Sequence, residues 1–347
     1  MDMDSKKFGI RFGYLATDQR VILAVLVVAV FLAFAIRTPA FLNGQFVIFP
    51  LIRDTAVITI VGLAQLVTLS IGHLNLAVGR MAALSAMVAG FTYERLGWGI
   101  MEGLLLGVAA GALVGAMTGY IIVKSQVNAF IVTLAVDFVL LGLVTFTYIS
   151  LTEAAAFTIK PAGMDVVRAG SLADVCPAGW CGPSIIPLIL FPALAMVAVI
   201  SFLYYQTRLG REFLATGANL RAARLSGIPV DTRVIQAHTL SGALAGLGGI
   251  FLAFVNGSFS AAIGSELLLP SFLGPILAGT ALTGGVVGVF GTMLGTLLTL
   301  VIRQGLLVGG IGLETLNIAL GVILLLALSA NKIRTSLTDV FRKGKGK

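Results

Sequence analysis

The residues best placed to do chemistry in this 347-residue chain are polar groups embedded in apolar sequence. Gln65, Thr68 and Ser70 lead into Gly72-His73-Leu74-Asn75-Leu76-Ala77-Val78-Gly79, a glycine-bounded knot where the hydropathy pattern still runs inside or beside a membrane. Irregular backbone at that depth survives only where it is buried in protein or lines a wet cavity, because hydrocarbon offers no partner to a free N–H or C=O. His73 and Asn75 carry the donors and acceptors to hydrogen-bond a neutral polar solute. They serve equally well in an ordinary turn in which Asn75 closes backbone groups, and the sequence leaves both readings open. Asp137 is the second candidate, 13 residues beyond Lys124 in an apolar run. A carboxylate at membrane depth needs a role or a firm partner; the sequence offers a hydroxyl or Arg303 from another span. Asn128 and Thr133 share that stretch, with Asn128 placed to cap a helix end.

The chemistry that is missing narrows the function. There is no G-x-x-x-x-G-K-[ST] loop, so ATP is not expected to be bound or hydrolysed by this chain. The only histidines, His73 and His238, are far apart in sequence and no His/Cys/carboxylate cluster has metal spacing. The chain reads as a non-enzyme with no cofactor or metal of its own. Rows of arginines for voltage sensing and sets of buried acids for proton relays are absent too, which counts against an ion-coupled carrier.

The elements that position these residues must be membrane helices. Hydrophobic residues make up 58% of the chain and charged residues 11%, about half the charged fraction of a soluble domain, and the mean hydropathy is +1.04. The apolar runs are of helical spanning length and lack the alternation of barrel strands. Ten are expected: Val21–Ile36, Phe46–Ile71, Met81–Phe91, Ile100–Val123, Val127–Ile149, Ser184–Tyr205, Val234–Val255, Leu267–Leu282, Val286–Ile302 and Leu313–Leu328. With both termini in the cytoplasm, 17 of 23 basic residues fall on the inner side, as the positive-inside bias requires. The formal charge of +8 then needs no nucleic acid: it is largely this positive-inside bias, with the basic insert and tail expected against anionic lipid. The expected fold is an all-α polytopic bundle: a cytoplasmic segment 1–20, a transmembrane domain 21–330 and a basic tail 331–347.

Two connections stand out. The loop 150–183, expected outside, holds Cys176 and Cys181, and an oxidising compartment permits a disulfide between them as readily as two free thiols. The insert 207–233 alternates Arg208, Arg211, Arg221 and Arg224 with Phe213, Leu214, Leu220 and Leu225. Gly210, Gly217 and Gly227 are expected to break it into short helices and Pro229 to stop the last. Such a piece lies on a membrane surface or plugs into a groove on a partner. Gly107, Gly111, Gly115 and Gly119 recur every fourth residue, a spacing for close helix packing inside the bundle or at a dimer seam, and Gly242, Gly246 and Gly249 suggest the same. A faint internal echo links Phe46–Gly90 with Leu267–Ile302: each runs helix, glycine break, small-residue helix.

Several of these stretches, taken in order, resemble the ribose-type monosaccharide permeases of ATP-binding-cassette importers. They are Thr207-Arg208-Leu209-Gly210-Arg211, Ala215-Thr216-Gly217-Ala218-Asn219, Ala222-Ala223-Arg224-Leu225-Ser226-Gly227-Ile228, Asn128-Ala129-Phe130-Ile131-Val132-Thr133-Leu134, and Leu277-Ala278-Gly279-Thr280-Ala281-Leu282-Thr283-Gly284-Gly285. Gly72 to Gly79 is similar to the family's Gly-x-Ile-Asp-Leu-Ser-Val-Gly signature, with Asn75 and Ala77 replacing its Asp and Ser. The resemblance implies the importer permease fold in a bacterial inner membrane and a second permease copy. It implies a periplasmic sugar-binding protein and a separate cytoplasmic ATPase that holds the ATP and Mg. It also implies that Arg208, Gly210, Gly217, Asn219, Ala222, Ala223 and Gly227 belong to the segment that couples to the ATPase. A monosaccharide or polyol is the expected solute; branched-chain amino acids or nucleosides are the alternative within the class, and an ion-coupled carrier or channel outside it.

Overall fold

The computed structural model describes residues 19–151, 156–175 and 184–310 and scattered positions from 312 to 325. Cys176, Cys181, the segment 1–18, the basic tail and most of the run Leu313–Leu328 lie outside the described residues.

The described chain is helical apart from one short pair of strands. Its main helices are α1 (Gln19–Arg37), α2 (Phe49–Ser70), α3 (Val78–Arg95), α4 (Ile100–Ser125) and α5 (Ala129–Leu151). After β1 (Ala156–Phe157) come the short α6 (Met164–Ala169) and α7 (Leu172–Val175), then α8 (Leu190–Gln206), α9 (Arg208–Ala218), α10 (Leu220–Leu225) and α11 (Val230–Asn256). β2 (Phe259–Ser260), α12 (Leu268–Leu277) and α13 (Val289–Val308) follow, and β2 pairs antiparallel with β1. Six described helices are long and apolar enough to cross a membrane, one of them α2 with the π-helical turn Gly44–Ile48 before it. A seventh is reached if α8 and α9, bent by 73°, count as one.

Two expected spans take a different form. Over Met81–Phe91 the helix is α3, which contains Arg80, Glu94 and Arg95 and is not among the six. Over Leu267–Leu282 only the ten residues of α12 are helical. Gly279, Gly284 and Gly285 beyond it take positive φ values of 81°, 89° and 82°, which a helix cannot continue through.

The bundle inverts the polarity of a soluble fold, as lipid immersion demands. At its centre α2 and α11 are buried nearly all round, with Gln65, Thr68 and Ser70 on one and His238 and Ser241 on the other. Peripheral helices turn apolar side chains outward, among them Leu105, Leu113, Phe138 and Phe146. On α4 the glycines are the buried face. A methyl on Gly111 would meet Ser85 Oγ at 2.7 Å and crowd the Gly242 carbonyl, one on Gly115 would crowd the His238 carbonyl, and one on Gly119 would lie 2.8 Å from Ile235 Cα. Gly242, Gly246 and Gly249 answer from α11, against Gly111, Ser85 and Ala82. The glycine stripes therefore pack α4, α3 and α11 together within one chain.

Candidate functional site

The knot between α2 and α3 is held from within. Asn75 has no exposed surface. Its Oδ1 accepts the Ala77 N–H (3.1 Å), and its Nδ2 donates to Ser241 Oγ on α11 (3.2 Å). Gln65, with its amide turned to suit its neighbours, donates to the Asn75 carbonyl (2.9 Å) and accepts the Asn75 N–H (3.2 Å). Thr133 of α5 donates to the Leu74 carbonyl (3.2 Å). The irregular backbone of the knot is thus held by three helices, α2, α5 and α11, which meets the condition a hydrocarbon surround would set for it. Thr68 donates to the Gln65 carbonyl (3.1 Å), and its own carbonyl accepts the His73 N–H (3.0 Å).

The two histidines, remote in sequence, meet in space: His73 Nδ1 and His238 Nε2 are 3.2 Å apart, and the tautomer sets which donates. No group of three metal-ligating side chains forms among the described residues. Asn128 caps α5, accepting the Phe130 N–H (2.9 Å). Asp137 is partnered neither by a hydroxyl nor by Arg303. Its ion pair is with Arg80 of α3 (3.8 Å), because Arg80, which sits just past the knot, begins the helix that packs beside α5. Arg303 lies elsewhere, at the far end of α13 near Asp54. Neither the Arg80 pairing nor the Ser241 contact is signalled by a spacing in the sequence.

The basic insert forms two helices, divided differently from the expectation. Gly210 and Gly217 lie inside α9, and the break falls at Asn219, whose extended backbone and side chain cap α10 through the Ala222 N–H (3.0 Å). Thr207 caps α9 in the same way through Gly210 (3.2 Å). Gly227, at φ 78°, follows α10, and Pro229 caps the start of α11 instead of ending a helix. The glycines inside α9 are contact points. Gly210 lies against the Leu203 carbonyl and Tyr204, and Gly217 against the Ser70 carbonyl.

That second contact is the centre of the arrangement. The Ser70 carbonyl, at the end of α2, accepts the Gly285 N–H (2.9 Å) from the break after α12. A methyl on Gly217 would crowd this carbonyl and come within 2.7 Å of the Gly285 nitrogen. A methyl on Gly284 would come within 2.6 Å of the Gly72 nitrogen and 2.8 Å of Gly217 Cα. Three backbones therefore meet with no side chain between them: the α2 break, the α12 break and α9. The two halves of the internal echo converge here. Tyr204 of α8 reinforces the junction by donating to Ser70 Oγ (2.8 Å), which itself donates to the Val67 carbonyl (2.6 Å).

A residue not singled out from the sequence ties α9 to α11. Glu212 is buried and accepts from Arg233 Nε (2.5 Å) and from Arg208 Nε (2.9 Å). The hydrogen bond from Arg233, with Arg208 adding to it, holds the Glu212 carboxyl below its ordinary value. The signal available in sequence was weak: one of two acids among five arginines. Ala223 of α10 is buried, whereas Leu220 and Leu225 are exposed, the latter by 90%.

Comparison with known proteins fits this architecture. The family described as branched-chain amino acid transport system / permease component matches residues 47–328. The probable ABC transporter permease protein YphD of Escherichia coli (strain K12) is 31% identical over 315 residues, covering 90% of this chain and 89% of the relative. The ribose import permease protein RbsC of the same strain is 29% identical, covering 81% and 84%. The xylose transport system permease protein XylH is 27% identical, covering 82% and 85%. No solved structure gives a significant match. On a match that spans most of its length, the chain belongs to the branched-chain amino acid transport system / permease component family, as a multi-pass membrane permease subunit and not an enzyme.

Proposed function

We propose that this chain is the membrane-spanning subunit of an ATP-binding-cassette importer and that its solute is a monosaccharide or a related polyol. The relatives named for ribose and xylose support the solute class. The observation that carries the mechanism is the contact of Gly217 with Ser70 and Gly285, since it joins a basic surface segment to both helix breaks at once. Ten spans with cytoplasmic termini in a bacterial inner membrane put 17 of 23 basic residues inside. The insert 207–233 then faces the cytoplasm, where Leu220 and Leu225 are exposed to meet a separate ATPase carrying ATP and Mg. The loop 150–183 faces a periplasmic binding protein, and a second permease copy completes the pore. Movement of α9 reaches the breaks through the glycine junction. There Gln65, Thr68, Ser70, His73, Asn75 and Thr133 act as the hinge of the solute pathway.

The test is reconstitution with an importer ATPase and a sugar-binding protein from the same organism. ATP-dependent uptake of a pentose, hexose or polyol is expected. Uptake by the chain alone, driven by an ion gradient, would overturn the reading.

A further inference from the structure

A cavity of about 420 Å³ opens at the end of the bundle opposite the insert, between the start of α2, the end of α11, the segment leading into α12, and α13. That volume lies within the ~300–1,000 Å³ of small-molecule sites. Its polar lining includes Arg53, Asp54, Asn256, Ser265, Glu266 and Arg303, and its walls are aliphatic, from Val57, Leu252 and Leu300 among others. Formal charge across the cavity cancels: two guanidinium groups face two carboxylates. Arg53 and Asp54 already pair with each other, at 3.2 Å, and Arg303 lines the same cavity. An anion or cation bound here would compete with these internal partners. Neutral hydroxyls have no such conflict, since they can accept from the remaining guanidinium N–H groups and donate to the remaining carboxylate oxygens. Planar bidentate groups above aliphatic walls suit vicinal hydroxyls on a carbon skeleton.

A second observation points inward from the same place. A small cavity of about 20 Å³ shares Ile58, Pro270, Leu300 and Arg303 with the large one and adds Thr299 and Thr296. Thr296 is 1% exposed, and its hydroxyl has no hydrogen-bond partner. It faces Gly62 of α2 and Gly274 of α12, both without side chains. A buried hydroxyl without a protein partner is available to hydrogen-bond a polar group beside it.

We propose that this cavity holds the transported solute, whose polyhydroxy class is that of the reading above, and that Arg303 stands where the route narrows toward Thr296 between α2, α12 and α13. The inference rests on the import reading above, which places the cavity on the outer side. It assigns the solute to residues remote from the glycine knot and leaves the knot as hinge.

The experiment uses the full chain with its ATPase and binding protein in proteoliposomes and in intact cells. Ser265→Cys, in a background with Cys176→Ser and Cys181→Ser, is exposed to a membrane-impermeant maleimide with D-ribose, D-xylose, ribitol or leucine present. Slower labelling with at least one of the three polyhydroxy probes and not with leucine is expected. Arg303→Gln and Asp54→Asn are each expected to lower uptake about tenfold, the weight of one charge-assisted hydrogen bond. Glu266→Gln, at an exposed position, is expected to do so with unchanged membrane abundance. Protection by leucine alone, or by none of the four probes, overturns the assignment. Normal uptake by all three variants removes the site and leaves the import reading standing, whereas absence of ATP-dependent uptake by the unaltered chain removes both.

Discussion

One methyl group tests the glycine junction. In Gly217→Ala the new Cβ would crowd the Ser70 carbonyl and sit 2.7 Å from the Gly285 nitrogen, well inside normal packing distance. The junction has two ways to yield. It can separate α9 from α2, an overpacking response that costs about 1–3 kcal/mol. Alternatively it can give up the buried Gly285 N–H to Ser70 carbonyl bond of 2.9 Å, which leaves both groups unsatisfied at about 1–3 kcal/mol. The cheaper route sets the penalty, so the docked arrangement loses about 1–3 kcal/mol. At about 1.4 kcal/mol per factor of ten, its population relative to undocked states falls about 5- to 150-fold. The control is Gly142→Ala in α5, where the same methyl meets nothing within 4 Å. Solute uptake and ATP hydrolysis are measured together in proteoliposomes at matched protein abundance. Gly217→Ala should lower the solute moved per ATP, and Gly142→Ala should leave it unchanged. Wild-type coupling in Gly217→Ala would refute the claim that movement passes through this junction.

Three further outcomes are expected. Asn75→Ala orphans the Ala77 N–H and the Ser241 hydroxyl, so thermal unfolding should register a loss of about 2–4 kcal/mol; Asn75→Asp should lose less, because the Ser241 hydroxyl can turn to donate, and equal losses would contradict this. Arg80→Gln and Asp137→Asn should each destabilise the protein while the double variant costs less than their sum, as expected for an ion pair read by a double-mutant cycle; simple additivity would mean the pair does not interact. For Glu212 the sign follows from its lowered pKa. The clamp's contribution is complete above the ordinary value of 4.5 and fades as pH falls through the lower folded value. The stability advantage of the wild type over Glu212→Gln should therefore be flat near neutrality and shrink in acid; an advantage that persists in acid would rule out the charged clamp.

Much of this was legible in sequence because lipid makes strong demands. Long apolar runs have to be helices, and glycines four apart have to mark a close approach; α4 and α11 meet both expectations. The knot announced itself through Gly72 and Asn75, and the echo between Phe46–Gly90 and Leu267–Ile302 located the second break. What stayed hidden depends on which helix faces which. Asp137 needed a cation, but hydropathy carries no azimuth, so Arg80 could not be preferred to Arg303. Gly210 and Gly217 have the composition of helix breakers, yet each accommodates a neighbouring backbone inside a continuous helix, because tertiary contact overrides a propensity of about 1 kcal/mol. Leu267–Leu282 reads as a continuous helix because the break after Leu277, with its positive-φ glycines, leaves no trace in a hydropathy window.

The contacts of α9 determine what can move with it. Through Glu212 and Arg233 it is tied to the first turn of α11, and through Gly217 to the ends of α2 and α12. α11 cannot slide alone, since the Gly111, Gly115 and Gly242 contacts interlock its backbone with α4. On the proposed mechanism a displacement of α9 is delivered to α11 and α4 through the Glu212–Arg233 pair and to the α2 and α12 breaks through Gly217. Gly72, Gly284 and Gly285 all have positive φ, so these breaks can reach backbone conformations that other residues rarely adopt. The α11–α4 pair and the two breaks touch α9 through different residues, although Asn75 also bonds the α2 break to Ser241 of α11, so the insert uses both anchors. Loss of the Glu212 clamp should release α11 while the breaks still respond, and loss of the Gly217 contact should do the reverse.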